Sequence, residues 1–390
     1  MHNFIFENGT RLIFGAGCLK EYLASFLERY GPNVLLVTDG SGGGARCGAQ
    51  DEVSRLLRTG GKTAVECWVR PPCPSSKEAL QAARLCREHH VDLILGVGGS
   101  AVLDCCKAAS LASVCRGDLW EDFWASRGVV DLPPLPVGLV STAVEVGAVN
   151  GAAGLIRNGR CVWRDYPPCD PGFALLDPAY TLALPRMQVL SGTFDTLSHA
   201  METYFGRSDR DNVSDEVAEA VMRSTVTNMR TLLGDLNDYT ARSNLMWTSA
   251  MAENGILKVG RLTDFECHQI EHQLGAYTDC NHGQGLAVIH PAYYRHIYKS
   301  AVPKFARFAR NVWGIDPAGK TEEEAAQAGI LALEAFILEC GLPTKLSQLR
   351  SRAEITPALL RQVADSCNLL PNGYKQLTHD EVYDILMECL

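Results

Sequence analysis

Apolar and polar residues alternate in blocks along the first half of the chain. Residues 34–38 form a short run of β-branched and aliphatic side chains that ends in a glycine-rich stretch, 39–44, the pattern of a buried strand entering a loop. Residues 50–57 carry helical periodicity, 65–69 repeat the strand pattern, and 77–90 are helical. Residues 91–97 are a further apolar run leading into Gly98 and Gly99; 103–114 read as helix and 136–140 as another buried strand. Apolar strands alternating with helices predict a parallel sheet covered on both faces. Ligands of such sheets sit at the carboxyl ends of the strands, which here are the 39–44 and 98–101 loops.

After Asp177-Pro178 the pattern changes. From Pro185 onward helical periodicity dominates, and Pro185 suits a first helical turn, where a missing N–H costs nothing. The expected organisation is an α/β domain with a parallel sheet over 1–184, followed by an all-α domain over 185–390.

Composition narrows the function classes. With 36 Lys and Arg against 45 Asp and Glu, the net charge of −9 offers no concentrated cationic field for nucleic acid. No apolar run reaches the ~20 residues of a membrane span, and the first ten residues lack the pattern of a signal peptide. The 15 cysteines are scattered and never spaced Cys-x-x-Cys, which argues against a disulfide framework or a Cys-type zinc site and for a reduced cytoplasmic protein. Cys105-Cys106, Trp247 and Trp313 read as buried structural residues.

The histidines are unevenly placed. Five of the ten, His268, His272, His282, His290 and His296, fall within 29 residues, and His199 follows Asp195 by four. Residues i and i+4 share a helix face, so Asp195 and His199 would point one way from a helix over 185–205. His268 and His272 would do the same from a helix beginning near Thr263. His282 follows a turn-like stretch and precedes Gly283, so it can fold back toward His268. Three imidazoles and a carboxylate suit a divalent transition metal, although an isolated Asp-x-x-x-His is more often a surface pair.

These residues carry a resemblance. Residues 194–205, Phe-Asp-Thr-Leu-Ser-His-Ala-Met-Glu-Thr-Tyr-Phe, resemble the helix of the iron-containing (group III) alcohol dehydrogenases that bears an Asp and a His metal ligand. Residues 268–283, His-Gln-Ile-Glu-His-Gln-Leu-Gly-Ala-Tyr-Thr-Asp-Cys-Asn-His-Gly, resemble the segment that bears the other two. Residues 14–17, 177–178, 244–247 and 305–314 are also similar to that family, the last two to its butanol dehydrogenase and aldehyde reductase branch. The resemblance implies a metal-dependent alcohol dehydrogenase or aldehyde reductase, with Asp195, His199, His268 and His282 as ligands of Fe2+, or of Zn2+ in the same set. It also implies hydride exchange between NAD(P)(H) and a small alcohol or aldehyde, with the metal polarising the substrate oxygen, and a homodimer. His272 matches a histidine beside the metal and is the nearest group for proton transfer.

The cofactor residues implied are Asp39, Gly40, Ser41, Gly98, Gly99, Ser100, Asp104, Ser141, Thr142 and Asn150. Here the sequence departs from the family. Ser100 and Ala101 stand where the phosphate loop has Gly and Ser, and Glu145 replaces a threonine that lines the nucleotide. Asp39 favours NAD(H), because a carboxylate there accepts ribose hydroxyls and repels a 2′-phosphate; Arg46 is the one basic residue nearby. Two alternatives follow: a metal-binding relative with an altered or lost nucleotide site, or a fold-mate resembling glycerol dehydrogenase or dehydroquinate synthase, for which only Lys258 and Arg261 would supply basic binders. Phe265, Cys280 and His296 are further candidates for lining the substrate cleft.

Overall fold

The computed structural model describes residues 2–390 except 41, 42, 71, 72, 148, 209 and 210. Two compact units emerge: Glu7–Pro185 with Asn237–Met246, and an N-terminal segment up to Phe6 with Arg186–Leu236 and Trp247–Leu390.

The first unit runs β1 (Arg11–Phe14), α1 (Cys18–Leu27), β2 (Asn33–Thr38), α2 (Gly43–Arg46), α3 (Ala49–Thr59), β3 (Thr63–Trp68), α4 (Ser76–Glu88), β4 (Leu93–Gly98), α5 (Ser100–Val114), β5 (Val137–Ser141), β6 (Ala152–Arg157), β7 (Arg160–Asp165) and β8 (Phe173–Leu176). Six strands form one sheet in the order β1-β8-β5-β4-β2-β3, and every pair is parallel. The central strands are buried along their length, because helices cover both faces and leave no side of the strand to water. The chain goes from β2 outward to β3 and then returns to place β4 on the other side of β2. That reversal sets the loops after β2 and β4 side by side, the position where open α/β sheets bind ligands.

Three features of this unit escape the periodicity reading. β1 and β8 have four residues each, too few to show a period. β6 and β7 form an antiparallel hairpin outside the main sheet, closed by Asn158 and Gly159, both at positive φ (53° and 76°); Asn-Gly is the residue pair that such a turn demands. α5 begins at Ser100, three residues earlier than expected, because extended Gly99 caps it directly after β4. Cys105 and Cys106 are wholly buried on α5, as expected.

The second unit is built from α6 (Arg186–Tyr204), α7 (Val213–Gly234), α8 (Tyr239–Glu253) from Trp247 onward, α9 (Glu266–Thr278), α10 (His282–Ile297), α11 (Val302–Asn311), α12 (Glu322–Glu339), α13 (Pro357–Ser366) and α14 (His379–Glu388). Among the described residues it contains no sheet. Its core packs Phe194, Tyr204, Phe205, Phe305, Phe308 and Phe336, with the Phe205 and Phe305 rings stacked 4.1 Å apart. α6 runs through this core and buries polar residues with the apolar ones, Asp195, Ser198 and Glu202 among them.

Two expectations need correction. α9 starts at Glu266 and not near Thr263, because Phe265 adopts a left-handed conformation (φ 60°) and Asp264 is tied down by the Tyr293 hydroxyl, which donates to Oδ2 at 2.7 Å. Trp247 is exposed (41%) and not a core residue; with Asn244 it falls on the outward stripe of α8, while Leu245 and Met246 face in. Trp313 does pack on the core, edge-on to Phe308 at 5.9 Å. Among the described residues, no helix is long and apolar enough to cross a membrane.

Candidate active site

The carboxyl edge of the sheet gathers most of the expected cofactor residues. Asp39 and Gly40 follow β2, with the Gly40 N–H donating to the Thr38 hydroxyl at 3.3 Å; Ser41 lies outside the described residues. Gly98 ends β4, and its carbonyl accepts the Thr142 N–H at 3.0 Å, which fixes the loop after β5 beside it. A Cβ on Gly98 would lie 2.7 Å from Val102 Cγ2, so glycine is required there for α5 to pack against β4. Ser100 is the first residue of α5, a 15-residue helix whose early N–H groups and dipole are of the kind that suits an anion. Ser141, wholly buried at the end of β5, has a hydroxyl with no hydrogen-bond partner among the described residues.

Asp104 and Asn150 sit deeper. The Asp104 carboxylate is buried, lies 3.0 Å from Lys107 Nζ, and accepts the Gly154 N–H at 3.1 Å. Burial pushes this carboxyl up, and the Lys107 ammonium pulls it back. Asn150 Oδ1 accepts the Ala152 N–H at 3.0 Å. Asp104 thus ties α5 to β6, while the Asn150 bond is local to the turn that leads into β6. Glu145 Oε1 accepts the Gly147 N–H at 2.5 Å.

In the helical unit four side chains converge. Asp195 Oδ1 lies 3.4 Å from His268 Nε2, 3.4 Å from His282 Nε2 and 3.9 Å from His199 Nε2. The donor atoms of Asp195, His268 and His282 all lie within 4.8 Å of one another. The His199 and His268 rings stack at 4.4 Å. α6 presents Asp195 and His199 one turn apart, α9 presents His268, and His282 is the first residue of α10, whose end is capped by Asn281 Oδ1 accepting the Gln284 N–H at 3.0 Å. Asp195 Oδ1 and His268 Nε2 are buried yet make no hydrogen bond. Buried polar atoms without partners are costly, and two aimed at one point match a metal's donor set.

Behind the histidines stand three carboxylates that the sequence reading did not single out. The His268 Nδ1 pairs with Glu202 Oε2, and Glu202 also accepts the Cys267 N–H at 2.7 Å and the His268 N–H at 3.2 Å. The His282 Nδ1 pairs with Glu271 Oε2. Glu253 lies 3.9 Å from His199 Nδ1 and 3.4 Å from Lys258 Nζ. Spacing could have found two of them: Glu202 is seven residues after Asp195 and Glu271 three after His268, each on the ligand's own helix face. Burial works against a charged His268, but Glu202 and Asp195 prevail and raise it to about 9. Burial likewise opposes an ionised Asp195, yet the neighbouring histidines hold it well below the usual carboxylate range.

His272 is half-buried one turn beyond His268, its ring stacked on His282 at 5.0 Å. Burial first, then His282 and His268, press it well below the ordinary imidazole range. The other expected lining residues divide. Phe265 lies 5.3 Å from the His268 ring. Cys280 instead directs its thiol to Glu271 at 3.7 Å, and His296 is engaged by Glu381 at 3.2 Å and Lys375 at 2.9 Å. Arg261 is buried against Asp215 at 2.8 Å and donates to the Thr203 and Tyr204 carbonyls at the end of α6. Of the two basic residues on which the dehydroquinate synthase-like alternative would rely, Arg261 is thus committed inside the fold and Lys258 is paired to Glu253.

Comparison with known proteins settles the family. Residues 9–178 match the iron-containing alcohol dehydrogenase profile, and residues 189–390 match the C-terminal profile of the same family. The chain belongs to the iron-containing alcohol dehydrogenase family. It is 33% identical to a probable NADH-dependent butanol dehydrogenase of Bacillus subtilis over 399 residues, covering 100% of both chains. It is 29% identical to the NADPH-dependent aldehyde reductase YqhD of Escherichia coli over 394 residues, covering 99% of this chain and 98% of that one. The crystal structure of a Thermotoga maritima NADH-dependent butanol dehydrogenase superposes with a TM-score of 0.91 at 29% identity, covering 100% of this chain and 99% of that one. The iron named by this family fits what Asp195 and the three histidines present, a compact nitrogen and oxygen donor set with unsatisfied buried atoms.

Proposed function

We propose that this chain is a metal-dependent alcohol dehydrogenase and aldehyde reductase that exchanges a hydride between a nicotinamide cofactor and a small alcohol or aldehyde. The observation that carries this reading is the approach of three Nε2 atoms to one buried Asp195 oxygen. Asp195, His199, His268 and His282 would hold Fe2+; Zn2+ suits the same donors. When bound, the metal supplies a Lewis acid for the substrate oxygen and the nicotinamide supplies or takes the hydride.

The chain's own residues handle binding and the proton. The N-terminus of α5 receives the diphosphate, and Gly98 lets that helix start hard against β4. Asp39, at the end of β2, engages the ribose hydroxyls and selects NAD(H) over NADP(H). His272, half-buried with its ring stacked on His282, is the nearest group to accept the alcohol's proton during oxidation and return it during reduction. His272→Ala is expected to lower kcat by roughly 10²–10⁴-fold while bound metal, measured by elemental analysis, stays at the wild-type level. The reading extends to a homodimer, to be measured by sedimentation velocity, and to a reducing cytoplasm, where 15 cysteines persist as thiols.

The deciding experiment follows the loss of reduced-nicotinamide absorbance by anaerobically iron-loaded protein with a short-chain aldehyde, NADH and NADPH run in parallel. Turnover with NADH preferred is the expected result. Absence of turnover with either coenzyme, despite bound iron, would overturn the dehydrogenase reading.

A further inference from the structure

The geometry assigns Glu271 as the positioning residue that fixes His282 for the metal, with Gly285 as the space that admits it; this rests on the metal site proposed above. The four converging side chains are unequally held. Asp195 and His268 are 7% and 3% exposed, whereas His282 is 32% exposed. His268 has a packed surround to keep its ring in place, but His282 stands at the first residue of α10, where backbone constraint is weakest. Its orientation therefore depends on what its second ring nitrogen bonds.

That partner is Glu271 Oε2, from the neighbouring helix α9. A carboxylate on Nδ1 keeps the proton there, leaves the Nε2 lone pair free, and sets the ring plane. Glu271 is itself held: its Oε1 receives the Cys280 thiol at 3.7 Å, and its side chain is buried. On the far side α10 offers no side chain at Gly285. A Cβ built there would lie 2.6 Å from Glu271 Oε1 and 2.8 Å from its Cγ. Because the nearest atoms are all of the Glu271 side chain, from Cγ to Oε1, an alanine would push that side chain off its seat and displace the carboxylate. Glu271 and Gly285 thus form one device, a carboxylate and the gap that seats it.

The test uses the full-length metal-free protein titrated with Co2+, read by its visible absorption, for wild type, Glu271→Ala, Glu271→Gln and Gly285→Ala. Glu271→Ala is expected to raise the Co2+ dissociation constant about 10–100-fold. Glu271→Gln, which keeps a neutral acceptor for Nδ1–H, should recover part of that loss. Gly285→Ala should weaken Co2+ like Glu271→Ala although every polar group of the site is retained, an effect that a merely structural Glu271 would not produce. Wild-type affinity in all three variants would overturn the positioning role while leaving the metal site standing. Failure of the wild type to bind Co2+ would overturn the metal site itself and the inference with it.

Discussion

Replacing His268 by alanine is expected to remove both the bound metal and nearly all turnover. His268 is the most buried of the four candidate ligands, and its Nε2 lies 3.4 Å from Asp195 Oδ1 with no hydrogen bond of its own. Its Nδ1 and backbone N–H are both committed to Glu202. Deleting the imidazole takes away one donor and strands Glu202 and Asp195 in a buried setting without their shared partner, so the site loses geometry and charge balance together. Lewis-acid polarisation is worth several kcal/mol of barrier, and each 1.36 kcal/mol is tenfold, so kcat/KM should fall roughly a thousandfold or more. Iron analysis and steady-state kinetics on the same preparation check both parts. His296→Ala serves as the control, since His296 is taken up by Glu381 and Lys375 and should keep wild-type metal content. Full activity in His268→Ala would contradict the assignment.

Lys107→Met should destabilise the fold by about 3–5 kcal/mol at neutral pH, the usual cost of stranding one member of a buried ion pair. Lys107 and Asp104 are 1% and 2% exposed and 3.0 Å apart, and Lys107 Nζ also donates to the Ala152 carbonyl. Together they fasten α5 to β6. The methionine keeps the volume but leaves Asp104 charged in an apolar setting, where burial already pushes its carboxyl up. The sign of the pH dependence follows. The folded variant holds a proton on Asp104 at a pH where the unfolded chain, with an ordinary carboxylate near 3.9, has released it, so the deficit shrinks as pH falls toward about 4. Denaturant unfolding at several pH values measures this. The double variant Asp104→Asn, Lys107→Met should regain part of the loss, because no charge is left unpaired. A loss of less than about 1 kcal/mol in the single variant at neutral pH would show that Asp104 is compensated in some other way.

The alternation of strand and helix was legible in the first half because β2, β4 and β5 are buried on both faces and read as unbroken apolar runs. The four-residue strands β1 and β8 were not, since pairing in the sheet defines them and no local period does. The hairpin of β6 and β7 carried its signal in Asn158-Gly159, a turn cue and not a hydrophobic one. In the site, one-turn spacing on α6 and α9 exposed Asp195, His199, His268 and His272, because helical geometry alone makes such residues neighbours. The approach of α10 to α6 was beyond helical spacing; only the turn before Gly283 suggested that His282 folds back toward His268, and the family resemblance strengthened that placement. The carboxylates behind the histidines were passed over for a different reason. A glutamate on a helix is usually solvated, and only burial shows that Glu202 and Glu271 each serve an imidazole. Asp104 sits in the phosphate-loop motif by sequence, and burial shows what spacing could not, that its carboxylate is held by Lys107 and the Gly154 N–H.

X-ray absorption at the iron edge of anaerobically iron-loaded protein tests the proposed centre most directly. The expected first shell holds three imidazole nitrogens and at least one oxygen, with the outer-shell scattering of His199, His268 and His282 rings, and His282→Ala should remove one ring's share. An all-oxygen shell, a sulfur ligand, or a spectrum unchanged by His282→Ala would contradict the metal centre on which the dehydrogenase reading stands.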